Sequence, residues 1–147
     1  AAFGMRTLYY QRTRLPEAEE RALQATYVPL DTLLAESDWV LPVLPSSPAT
    51  RGLIGRDQLA RIKPGAMLVN IARADVVDRA ALIEALRSKR LGGFALDPLY
   101  EAPGKSDDEL LTFPNVAISP HLAAQPRFNA LSDLSDLCAG LAKELAL

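Results

Sequence analysis

The chain has 147 residues, a formal net charge of -2 and 49% apolar residues, a length that suits one domain with a buried core. Its 16 Lys and Arg residues are scattered rather than clustered, which argues against a nucleic-acid partner. A lone cysteine, Cys138, excludes an internal disulfide framework and argues against a metal site. No apolar run approaches the ~18 residues that span a bilayer, and no signal peptide is visible in these residues, so the simplest expectation is a cytoplasmic protein without a membrane partner.

In chain order, residues 6–11 (RTLYYQ) are rich in β-favouring side chains and read as a strand. Pro16 opens a charged helix over 16–25. Residues 26–28 form a short strand, and Asp31 can cap a short helix over 32–36. Residues 39–44 (WVLPVL) read as a buried strand in which Pro42 implies a bulge or an early end. Pro, Ser and Gly make 45–55 a loop. A short helix over 56–62, a turn at Pro64-Gly65 and a strand over 67–71 follow. Asp78 caps a helix over 79–89, which Gly92-Gly93 is expected to terminate. Strands over 94–96 and 116–119 flank a polar loop over 100–108. A long helix over roughly 126–145 closes the chain, with Phe128, Leu131, Leu134, Leu137, Cys138, Leu141 and Leu145 on its apolar stripe.

Strands alternating with helices imply βαβ units and a mostly parallel, doubly wound sheet of Rossmann type. The nearly continuous apolar strands fit a sheet covered on both faces. Ligands of such sheets bind beyond the carboxyl ends of the strands. The residues there are Gln11 and Arg12, Leu44 and Pro45, Ala72 and Arg73, Asp97, and His121, the one histidine of the chain. A Gly-rich phosphate loop lies about 20 residues before the residue that meets the ribose. If that residue is Gln11, the loop falls ahead of residue 1, and the chain holds no GxGxxG. The expectation is therefore a doubly wound sheet lacking its first strand and its Gly-rich loop, with a separate substrate domain upstream. Such a segment alone is expected to be inactive.

Three stretches bring a family into view. Residues 70–78 (NIARADVVD), 119–124 (SPHLAA) and 38–54 (DWVLPVLPSSPATRGLI) resemble, in that order, segments of the D-isomer-specific 2-hydroxyacid dehydrogenases, and the likeness covers essentially the whole chain. The resemblance implies a hydride transfer between a nicotinamide cofactor and a small 2-oxo acid, of the glyoxylate or hydroxypyruvate reductase type. It implies that Arg73 grips the substrate carboxylate, for which a guanidinium is bidentate. It implies that His121 donates a proton to the carbonyl oxygen, a task suited to imidazole, whose ordinary pKa is about 6.5. A third family residue, a Glu that holds the His protonated, corresponds to Ala102, followed by Pro103; Glu101 stands one place early. Either Glu101 reaches His121 through a shifted loop, or the carboxylate is absent. Ala74 replaces a usual Gly, which implies a negative φ there.

The resemblance further places Leu44, Pro45 and Thr50 on the adenine and phosphate side of the cofactor. Ile71, Ala72 and Asp97 would line the nicotinamide beside Arg73, His121 and Ala123. At the end of the first strand stands Gln11-Arg12-Thr13-Arg14. No acid there would repel a 2′-phosphate and two guanidiniums could bind it, so NADP is preferred and NAD possible. Family likeness also implies a homodimer. The alternative reading is a non-catalytic NAD-binding regulator, or an inactive fragment, of the same fold.

Overall fold

A computed structural model describes residues 4–101, 104–119 and 121. Ala102, Ala123 and the expected helix over 126–145 lie outside them. Strand β1 (Thr7–Tyr9) leads into α1 (Glu17–Leu23), β2 (Ala25–Tyr27), α2 (Leu30–Glu36) and β3 (Trp39–Val40). After a long loop come α3 (Arg56–Arg61), β4 (Met67–Asn70), α4 (Arg79–Arg87), β5 (Gly93–Leu96) and β6 (Val116–Ile118). Two one-turn 3-10 helices, Ala74–Val76 and Glu109–Thr112, were not foreseen from the sequence. Every strand pair is parallel.

The strands form two sheets: β1 pairs with β2, and the other four run in the order β3-β4-β5-β6. The doubly wound order 3-2-1-4-5-6 takes β2 and β1 as its third and second strands and β3 as its fourth. The two sheets therefore part at the place of the central strand. Among the described residues one edge of β1 and one edge of β3 stay unpaired.

The core explains which face each element turns inward. Paired residues of a parallel sheet share a face, and the row Val40, Leu68, Phe94 is buried throughout. Leu59 of α3 and Ile62 just after it, and Leu82, Ile83 and Leu86 of α4, belong to the same cluster. The opposite face behaves differently from expectation. Along and beyond β3, Trp39, Leu41 and Val43 are 55%, 52% and 75% exposed, while the intervening Val40 and Pro42 are buried. The apolar run 39–44 thus alternates, and it is covered on one side only among the described residues.

Several local expectations change in detail. Pro42, with no N–H to give a ladder, ends β3 early at Val40. Asp31 lies in the first turn of α2 rather than capping it; Pro29 precedes the helix and its carbonyl accepts from Leu33 N at 3.0 Å. Asp78 does cap α4, its carboxylate accepting from Ala81 N at 2.7 Å. Gly92 and Gly93 do not terminate that helix: Ser88 ends it and Lys89 takes the left-handed conformation, φ 56°. The two glycines answer to close packing instead. A Cβ on Gly92 would lie 2.1 Å from the Gly65 carbonyl oxygen, and one on Gly93 2.5 Å from Met67 Cε. Ala74 is helical, without a positive φ. Among the described residues no helix is long and apolar enough to cross a membrane.

Candidate active site

Parallel strands all deliver their carboxyl ends to one edge of a sheet, so residues far apart in sequence meet there. Asn70, the last residue of β4, is wholly buried. Buried amides need partners, and this one finds them in the next turn: its Oδ1 accepts from Ala72 N at 3.0 Å, and its Nδ2 donates to the Arg73 carbonyl at 2.9 Å. The two bonds close a tight turn that sends the Arg73 side chain to solvent, where Nη1 donates to the Ala72 carbonyl at 2.7 Å.

The next strand end is joined to this one through the backbone. Asp97 N donates to the Asn70 carbonyl at 3.1 Å, and His121 N donates to the Asp97 carbonyl at 2.8 Å. The Asp97 side chain is buried and accepts from Ser119 Oγ at 2.5 Å. His121 is exposed and adopts φ 59°, a left-handed conformation in which His is enriched several-fold over most residues. One run of hydrogen bonds thus ties the Arg73 turn, Asp97 and His121 across the ends of β4, β5 and β6. Asn70 and Ser119 stand in the segments 70–78 and 119–124, but were given no role from the sequence. Their signal was a polar side chain closing an apolar strand, where burial demands a hydrogen-bonded role.

The loop after β3 leans on the Arg73 segment. Thr50 Oγ1 donates to the Pro45 carbonyl at 2.7 Å and accepts from Ser47 N at 2.8 Å, which folds the loop on itself. Gly52 N bonds the Asp75 carbonyl at 2.7 Å, and Ile54 bridges to Val77. Asp75 adds its side chain: Oδ2 accepts from Ser46 Oγ at 2.7 Å and from Arg51 Nε at 3.2 Å. The Ser46 bond, with help from the Arg51 guanidinium, holds the Asp75 carboxyl below its ordinary range although partial burial opposes it. Pro45 and Thr50 therefore sit on a loop latched beside Arg73. Ile71 stands 48% exposed at the start of the same turn.

The loop after β1 separates its two guanidiniums. Arg14 grips Glu20 with both Nε and Nη2, at 2.7 and 2.8 Å. Hydrogen bonds from Arg14, then from the Tyr9 hydroxyl, draw the Glu20 carboxyl down to about 2. Arg14 is thus ion-paired within the protein, although its side chain stays 61% exposed. Arg12 is exposed and makes no ion pair among the described residues. Gln11 Nε2 donates to the Thr13 carbonyl at 2.6 Å, closing the tip of the loop.

Glu101 lies away from this cluster. Its carboxylate pairs with Lys105 Nζ at 2.5 Å. It lines a cavity of about 570 Å³ with Arg79, Tyr100 and Asp108, to which neither Arg73 nor His121 contributes. Tyr100 donates to the Val77 carbonyl at 2.9 Å, and its burial pushes the phenol well above its ordinary range.

A parallel sheet whose polar residues gather at the carboxyl ends of its strands is the arrangement of a dinucleotide-binding α/β domain. Residues 1–123 match the NAD binding domain of the D-isomer specific 2-hydroxyacid dehydrogenases, and the chain belongs to that family. It is 45% identical over 137 residues to the glyoxylate reductase of Thermococcus gammatolerans, covering 93% of this chain and 40% of that protein. It is 44% identical over 144 residues to glyoxylate/hydroxypyruvate reductase B of Enterobacter agglomerans, covering 95% of this chain and 44% of that protein. The D-isomer specific 2-hydroxyacid dehydrogenase of Xanthobacter autotrophicus Py2, solved with NADPH and MES, superimposes with a TM-score of 0.72 at 35% identity, covering 81% of this chain and 38% of that one. The chain spans about two fifths of the length of the curated relatives it matches.

Proposed function

We propose that this chain supplies the dinucleotide-binding part of an oxidoreductase that interconverts a small 2-oxo acid, of the glyoxylate or hydroxypyruvate type, and its D-2-hydroxy acid. The observation that carries this reading is the hydrogen-bonded run Asn70–Asp97–His121, which ties the Arg73 turn after β4 to His121 after β6 through Asp97 at the end of the intervening β5. Arg73, exposed beyond its turn, takes the substrate carboxylate as a bidentate pair. His121 gives a proton to the carbonyl oxygen as the carbonyl carbon is reduced. A bound nicotinamide supplies the hydride.

The surface fits that group. Half-exposed Ile71, with Ala72 and Asp97, offers an apolar and polar wall at the end of β4 and β5. Leu44, Pro45 and Thr50 stand on the latched loop for the adenine and phosphate side, and resemblance adds Ala123. At the end of β1, Arg12 meets a ribose phosphate, with Gln11 and Thr13 beside it, so NADPH is preferred to NADH. Support comes from the exposed, unpaired guanidinium and the absence of an acid in Gln11-Arg12-Thr13-Arg14. The family likeness also supports a homodimer working in the cytoplasm.

One observation favours a second reading, a dinucleotide-binding regulator without catalysis. Ala102 occupies the family's Glu position, and Glu101 is paired with Lys105. The full-length protein, assayed on glyoxylate and hydroxypyruvate with each dinucleotide, separates the two. The enzyme reading expects turnover, faster with NADPH, and its loss in Arg73→Ala. Tight dinucleotide binding without turnover of either acid establishes the regulator.

A further inference from the structure

Glu20 is only 8% exposed although it sits on a short surface helix. Carboxylates are almost never so buried unless they are paired. Here each oxygen is used. Oε1 accepts from the Tyr9 hydroxyl at 2.6 Å and from Arg14 Nε at 2.7 Å, and Oε2 accepts from Arg14 Nη2 at 2.8 Å. The Tyr9 oxygen also accepts from Leu15 N at 2.9 Å. Tyr9 packs edge-on against Tyr27 at 5.4 Å, and the Arg14 guanidinium lies 5.6 Å from the same ring.

These contacts share one geometric consequence. Tyr9 is the last residue of β1, and Arg14 and Leu15 end the following loop. Both ends are therefore pinned to α1 through Glu20 and to β2 through Tyr27. Arg12 stands between the pinned ends, on the tip that the Gln11–Thr13 bond closes. The cluster does two things at once: it commits Nε and Nη2 of Arg14 to Glu20, and it narrows the positions open to Arg12.

We propose that Glu20, acting through Arg14 and Tyr9, is a positioning residue for cofactor choice: it holds the loop after β1 so that Arg12 alone is presented to a 2′-phosphate on the adenosine ribose. This rests on the reading above that the loop meets the ribose. A preorganised cation binds without first ordering its loop, and ordering each residue is a free-energy cost of binding. Loss of the clamp therefore weakens the ligand that needs Arg12 and spares the one that does not.

Calorimetric titration of the full-length protein with NADPH and with NADH tests this. Glu20→Gln is expected to raise the Kd for NADPH about tenfold and to leave that for NADH within about twofold. Tyr9→Phe keeps the ring, removes two hydrogen bonds, and is expected to move the ratio the same way by about threefold. Since Glu20 acts through Arg14 and Tyr9, adding Glu20→Gln to the double variant Tyr9→Phe/Arg14→Met is expected to change the ratio no further. If Arg14 were itself a phosphate ligand, Glu20→Gln would free it and strengthen NADPH binding, and that result overturns the proposal. Arg12→Ala separates the two levels. An unchanged NADPH-to-NADH ratio in Arg12→Ala refutes the ribose-site reading and the clamp with it. A collapsed ratio in Arg12→Ala with unchanged ratios in Glu20→Gln and Tyr9→Phe refutes the clamp alone.

Discussion

Removing the Asn70 amide should disable the site without touching any residue that meets substrate. Asn70 has no solvent exposure, and its side chain makes two hydrogen bonds, to Ala72 N and to the Arg73 carbonyl. Asn70→Ala deletes both. Each such bond contributes about 0.5–1.5 kcal/mol net, so the folded state is expected to lose about 1–3 kcal/mol. The lower half of that range applies if water reaches the freed groups, because Ala72 is half-buried and Arg73 exposed. Function should suffer more than stability. The turn that aims the Arg73 guanidinium is no longer closed, and a misplacement of about 1 Å in a positioned group costs roughly 10²-fold in rate. In the full-length protein, kcat/KM for glyoxylate should fall about 10- to 100-fold, equivalent to about 1.4–2.7 kcal/mol of transition-state stabilisation. In the proposed role of Arg73, its grip on the carboxylate is made in the ground state too, so most of that loss should fall on KM. Asn70→Asp should be worse for stability: it keeps an acceptor for Ala72 N but sets a buried negative charge against the Arg73 carbonyl. Urea denaturation and steady-state kinetics read both effects. An Asn70→Ala protein with wild-type kcat/KM and an unmoved urea midpoint would refute the claim that this amide positions Arg73.

Three further outcomes are expected. Gly92→Ala should destabilise by about 1–3 kcal/mol, as overpacking does, because its Cβ would meet the Gly65 carbonyl oxygen at 2.1 Å; a thermal melt equal to wild type would count against that packing. The Glu20 carboxyl, held at about 2 in the fold against an ordinary value of 4.5, stabilises the native state above pH 4.5 and loses that contribution as pH falls toward 2; acid titration should show a shallower limb in Glu20→Gln, and an identical limb would place the pair's effect elsewhere. Because Glu101 pairs with Lys105, Glu101→Gln should leave the pH profile of reduction unchanged, whereas Ala102→Glu, which restores the carboxylate that the family resemblance implies, should carry the high-pH limb upward if His121 is the proposed proton donor; the reverse pattern would assign the family's Glu role to Glu101.

Much of this molecule could be read from neighbours along the chain. The apolar runs at 67–71 and 94–96, the Asp78 cap and the Pro42 strand end all follow from local sterics and hydrogen bonding, which act over a few residues. Their alternation with helices, together with residues 70–78 and 119–124, was enough to name the fold and to mark Arg73 and His121. The tertiary structure decided which partner each polar group takes. Arg12 and Arg14 look alike in the sequence, yet among the described residues only Arg14 meets a carboxylate, because α1 brings Glu20 to it and β2 sets the Tyr27 ring beside it. Glu101 stood one place from a catalytic position, and its nearest opposite charge proved to be Lys105. Gly92 and Gly93 read as a helix stop, but they are small because Gly65, Met67 and Asn115 crowd them from other segments. The run 39–44 read as buried on both sides, yet among the described residues alternate side chains lie open, because nothing covers that face of β3. Pairing, close approach and burial depend on which surfaces the folded chain brings together, and that information lies in contacts between residues distant in sequence rather than in any local pattern.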